Sequence, residues 1–151
     1  MQTRRETLAQ SAVVAGLLAA TGLFPNDAQA FEKAAFDAKS VNDAVKALGG
    51  GVPTESKEVT LTGPDIAENG AVVPLTVGTT LPNVKRLLLL VEKNPSALAA
   101  VFNISPDVEP SFATRSKMAQ SSDVYAVALT TDGKAFFAKK EVKVTLGGCG
   151  G

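Results

Sequence analysis

The chain has 151 residues, fifteen basic and fifteen acidic, with no histidine, no tryptophan and a single cysteine. Without histidine there is no internal Cys–His catalytic pair, and one cysteine alone cannot build the usual zinc sites. The neutral balance of charge gives no reason to expect nucleic acid or an anionic membrane surface as a partner.

Residues 1–30 read as an export signal. Arg4 and Arg5 give a basic start, Ala12 to Phe24 is a mostly apolar run, and Ala28-Gln29-Ala30 is a small-x-small cleavage site. The apolar run falls short of the roughly 20 residues that cross a bilayer. Thr3-Arg4-Arg5-Glu6-Thr7-Leu8 resembles a twin-arginine signal, with threonine where that motif has phenylalanine, so the general secretion route is the alternative. Cleavage after Ala30 removes Arg4, Arg5, Glu6 and Asp27, which takes each sign of charge from fifteen to thirteen. The mature chain then fits one domain of ordinary size. It would hold its core without internal disulfides.

Residues 31–48 carry the period of an amphipathic helix. Phe31, Ala34, Ala35 and Ala38 share one face, and Val41, Ala44, Val45 and Leu48 repeat the spacing. Ser40 followed by Asp43 resembles a capping box and predicts a break or second helix start there. Gly49-Gly50-Gly51 and Pro53 end the region.

From Lys57 the pattern is that of strands. Val59 and Leu61 alternate with polar neighbours. Ala71 to Val77 is β-rich, and Pro74 within it predicts an edge strand or a bulge. Val84 to Val91 is almost continuously apolar, as in a central strand. Leu98–Ile104, Phe112–Met118, Val124–Leu129 and Ala135–Leu146 complete the set. Thr131-Asp132-Gly133 predicts a hairpin turn, and Lys139-Lys140 suggests that the last segment is two strands. Some seven short strands separated by Gly/Pro turns predict an all-β sandwich over residues 31–146.

Asp65 and Glu68 stand close enough in sequence to suggest a carboxylate pair, but Pro64 and Asn69-Gly70 around them favour a solvated turn. The Lys85-Arg86 and Lys139-Lys140 pairs read as solvated positions.

The chemistry concentrates in residues 147–151. Cys149 is flanked by Gly147 and Gly148 on one side and Gly150 and Gly151 on the other. Glycine offers no side chain to pack and a large backbone entropy, and chain ends are commonly the least ordered part of a domain. The expectation is a thin, flexible arm of roughly 17 Å, at about 3.3–3.6 Å per residue, with a thiol near its tip. An exposed thiol has a pKa near about 8.5 and needs a neighbouring cation or base to be activated. None is supplied by the arm. The residue types therefore suit an attachment point that other proteins work on. An intermolecular disulfide through the odd cysteine is the other use open to it.

These features resemble the SoxY family of sulfur carriers. Gly147-Gly148-Cys149-Gly150-Gly151 matches that family's carrier motif. Ala67-Glu68-Asn69-Gly70-Ala71-Val72-Val73-Pro74 and Val91-Glu92-Lys93-Asn94-Pro95 are similar to its internal signatures, and Val142-Lys143-Val144-Thr145 leads into the tail in the same way. The resemblance implies an immunoglobulin-like sandwich that pairs with a smaller β-sandwich subunit, SoxZ. It implies a periplasmic, non-catalytic protein that holds sulfur intermediates covalently on Cys149 and has no cofactor of its own. Two enzyme partners are implied: a haem enzyme that conjugates thiosulfate to the thiol and a manganese hydrolase that releases sulfate. A dehydrogenase that oxidises the remaining sulfane sulfur is one downstream branch, which the resemblance leaves open. Against this stands a structural module that dimerises through a Cys149 disulfide. A ubiquitin-like use of the Gly150-Gly151 carboxylate fits poorly with export, because that activation needs ATP.

The apolar run Leu87-Leu88-Leu89-Leu90-Val91 and the Phe136-Phe137 pair also bear on the partner. They exceed what one face of a sandwich needs, so either the N-terminal helix or a second chain must cover them.

Overall fold

The computed structural model describes residues 33–146. The predicted signal, Phe31 and the glycine–cysteine arm lie outside the described residues. Helix α1 covers residues 33–37 and α2 is Val41–Ala47. The predicted break at Ser40 is where the two part. Ser40 is the N-cap of α2, with extended backbone, and its Oγ accepts the Asp43 N–H at 3.1 Å. Gly49 ends the helix at φ +81°, a left-handed conformation that costs glycine little.

Nine strands follow: β1 Thr54–Glu55, β2 Val59–Thr62, β3 Ile66–Ala67, β4 Val73–Thr79, β5 Val84–Val91, β6 Leu98–Asn103, β7 Ser111–Ser116, β8 Ser122–Thr130 and β9 Ala135–Val144. They form an immunoglobulin-like sandwich of two sheets. The larger runs β1-β9-β8-β5-β6, with β3 also on β9, and the smaller runs β2-β4-β7. Leu87, Leu89, Val91, Val124, Ala126 and Ala128 of the large sheet face Val73, Leu75 and Val77 of the small one. On the other face, Leu88, Leu90, Val127 and Leu129 pack under Ala35, Val41, Ala44, Val45 and Leu48.

A strand covered on both faces reads as an unbroken apolar run rather than an alternating one. That is why Leu87 to Val91 show no period: all five are 0% exposed. Phe136 packs toward the inner core. Phe137 packs toward the helices, its ring centroid 5.7 Å from that of Tyr125. The excess of apolar residues is therefore taken up by this chain's own helices, and it gives no support to a partner surface on these residues.

Two further expectations are corrected. Pro74 lies in β4, the middle strand of the small sheet, not in an edge strand. It is tolerated because β2 ends at Thr62 opposite Thr76, so at Pro74 only β7 still pairs with β4. Residues 135–144 are one strand, not two. β9 pairs with β8 without interruption from Ala135 to Val142, and its lysines turn to carboxylates instead of breaking it. Only its outer edge is divided, with β1 beside Phe136 and Phe137 and β3 beside Lys143 and Val144. β1 and β3 themselves, at two residues each, are too short to show a period in the sequence.

Candidate functional site

β9 delivers the chain to Leu146, the last described residue, with Gly147 next in sequence. Cys149 and Gly147, Gly148, Gly150 and Gly151, the expected site residues, lie outside the described residues. What can be built from the residues upward is the root on which the arm is mounted.

That root is held by main-chain bonds from the segment that runs into and out of β3. Lys143 N–H donates to Asp65 O at 2.9 Å and Thr145 N–H to Ala67 O at 3.1 Å. The Gly70 N–H donates to Leu146 O at 2.7 Å. Asn69 shapes the turn that presents this amide, its Oδ1 accepting the Ala71 N–H at 2.9 Å. An Asx turn of this kind is what asparagine before glycine favours. Thr145 Oγ1 adds a bond to Glu68 O at 3.0 Å, and Ser121 Oγ accepts the Val144 N–H at 2.8 Å.

A second layer holds the first. The Met118 N–H donates to Gly70 O at 2.7 Å. On either side of Met118, Asn94 Nδ2 donates to Lys117 O at 2.7 Å and Asn94 Oδ1 accepts the Ala119 N–H at 2.9 Å. The stretches 67–74 and 91–95, separate in sequence, thus meet through the 117–119 backbone behind Leu146. Sequence reasoning found both stretches but not this role, because the bonds are made by backbone groups that no side-chain pattern records. Asn69 and Asn94 were the only legible signals.

The supposed Asp65–Glu68 pair does not form. Asp65 turns to Lys140, Oδ1 to Nζ 2.8 Å, and that hydrogen bond, with the ammonium charge second, holds its carboxyl below the ordinary 3.8. Lys139 lies 3.4 Å from Asp123, whose charge raises the ammonium pKa. Lys139 is exposed, as expected, whereas Lys140 is half-buried, and both are engaged. Ile66 and Leu146, 59% and 60% exposed, leave the surface beside the root partly apolar. Among the described residues no group of three His, Cys, Asp or Glu side chains is arranged to hold a metal ion, and no helix is long and apolar enough to cross a membrane.

Fold and root together define a helix-covered immunoglobulin-like sandwich with its final strand braced up to a terminal glycine–cysteine segment. The family model described as "Sulfur oxidation protein SoxY" matches residues 44–149, a span that includes Cys149. The chain belongs to the SoxY family. It is similar to the sulfur carrier protein SoxY from Chlorobium limicola f thiosulfatophilum, with 35% identity and a TM-score of 0.63 over 71% of this chain and 97% of that one. A superoxide reductase (neelaredoxin) from Ignicoccus hospitalis shares the fold alone, at 20% identity and TM-score 0.50 over 57% of this chain and 79% of that one. A search of curated proteins returned no match.

Proposed function

We propose that this chain is a periplasmic carrier that holds thiosulfate-derived sulfur covalently on Cys149 and presents it to sulfur-oxidising enzymes. The observation that supports this most is the span of the family match, which runs through the sandwich and ends on Cys149. Membership of the SoxY family gives the coarser role, a sulfur-oxidation carrier. The Chlorobium protein, described as a sulfur carrier, agrees with it.

The chemistry divides simply. The Cys149 thiol loses its proton and forms an S–S bond to the outer sulfur of thiosulfate. The two electrons released pass to a haem-containing conjugating enzyme. Water then releases the terminal group as sulfate on a manganese hydrolase, leaving sulfane sulfur on Cys149 for a dehydrogenase. In this scheme the carrier supplies a nucleophile and a thin glycine arm, Gly147, Gly148, Gly150 and Gly151, while acid, base and redox centres belong to the enzymes. It needs no cofactor of its own. A SoxZ-like β-sandwich subunit is the expected heterodimer partner, on the strength of the family.

Intact-mass analysis of protein purified from its native host tests the reading. Sulfur adducts that localise to Cys149 and disappear in Cys149→Ser are expected. The variant should lose enzymatic loading while its stability changes by less than about 0.5 kcal/mol, as for a surface substitution. A protein found only as a Cys149 disulfide dimer, without adducts, would make it a structural module instead.

A further inference from the structure

We propose that Asn94, acting through Met118 and Gly70, is a positioning residue that fixes the pivot of the Cys149 arm at Leu146. This rests on the carrier reading for its purpose, though not for its geometry. The Asn94 carboxamide bonds the backbone on both sides of Met118, at 2.7 and 2.9 Å. The peptide it steadies donates from Met118 N–H to Gly70 O, and the Gly70 N–H donates to Leu146 O, each at 2.7 Å. Gly70 is buried and Asn94 half-buried; the bond from Ala119 N–H to Asn94 Oδ1 is partly buried, while that from Asn94 Nδ2 to Lys117 O is exposed. Thr145 adds its own bond to Glu68 O next to this relay.

The consequence is a matter of length. With Leu146 held, Cys149 lies three residues beyond the pivot, a reach of roughly 10 Å. Pairing of β9 with β8 ends at Val142. Were the brace open to that point, seven residues would link the thiol to the body, and its reach would be roughly 24 Å. Effective concentration falls roughly as the −3/2 power of linker length, so a channel mouth beside the root would meet the thiol about three to four times less often. The brace keeps the arm short and its origin constant, whichever enzyme receives it.

Spin labels on Cys149 and on an introduced cysteine at the exposed Lys134→Cys position read this directly. In the variant Asn94→Ala the distribution of label–label distances should become about twice as wide as in the parent. Hydrogen exchange at Gly70 N–H should accelerate at least tenfold while the core amide of Leu88 keeps its protection. An unchanged distance distribution would overturn the proposal. So would equal loss of protection at Gly70 and Leu88, which would make the relay a part of global stability only. Neither readout requires a sulfur intermediate on Cys149. A widened distribution in a protein that never carries sulfur on Cys149 would support the pivot and remove the carrier role.

Discussion

Lys140 Nζ sits 2.8 Å from Asp65 Oδ1, which ties the middle of β9 to the residue just before β3. The carboxyl pKa is held below 3.8 by that bond and by the lysine charge. A depressed folded-state value means that the pair's contribution is present above the unfolded value and is lost as pH falls through the lower folded one. Carbon-detected titration of the Asp65 carboxyl should therefore place its midpoint below 3.8, and Lys140→Met should bring it back up. At neutral pH the variant should change stability little, because the Asp65 end of the pair is exposed and solvent screens it. A wild-type midpoint at the ordinary value would show that the pair does not persist in solution.

The helix-facing side of the large sheet is core, and its residues should behave as core in the isolated chain. Leu88 is 0% exposed and clusters with Val45 and Leu129. Leu88→Ala should cost about 2–5 kcal/mol, the range for a buried leucine truncated to alanine. Denaturant unfolding of the chain without any partner measures this. A loss well under about 1 kcal/mol there, rising to the core range only when a second subunit is added, would mean that the helices do not seal this face.

Ser40 caps a helix of only seven residues. So short a helix depends on its cap and its packing rather than on its own propensity. Ser40→Ala should lower stability by about 1 kcal/mol, while Ser40→Asp should retain most of it. Thermal unfolding of the three proteins side by side decides whether the cap contributes as the geometry implies.

Gly147→Val and Gly148→Val together should lower kcat/KM for enzymatic loading of Cys149, since branched side chains stiffen and thicken the arm. Alkylation of Cys149 by a small reagent should proceed near the wild-type rate. Enzymatic loading that also ran at the wild-type rate would remove the argument for a thin arm.

What the sequence disclosed and what it withheld divide along a physical line. β5 was legible because Leu87 to Val91 form an unbroken apolar run with Val84 just before it, and the α1–α2 break because Ser40 and Asp43 are side-chain signals. The hairpin at Thr131-Asp132-Gly133 was legible because its glycine needs positive φ, found at +84°. Pro74 misled, since its rule concerns neighbours and a sequence does not say where the neighbouring strand stops. Lys139 and Lys140 misled because charge in a strand looks like an interruption until Asp123 and Asp65 are seen beside it. Cys149, the proposed attachment point, stood out as a singular feature of the sequence. Its mounting was hidden, because Gly70, Met118 and Leu146 meet through main-chain groups that every residue possesses.

The division of β9's outer edge bears on how the molecule assembles. Thr54 pairs with Phe136 and Ile66 with Lys143, partners 82 (54 to 136) and 77 (66 to 143) positions apart. Contacts of such separation form slowly, because the chain entropy of closing the loop is lost before the contact returns any energy. β1 and β3 therefore have nothing to pair with until the last strand has been synthesised and has docked on β8. The strand that leads to Cys149 is thus also the one that closes the sheet, so a chain truncated before β9 leaves the edge of β8 bare and prone to pair with other chains.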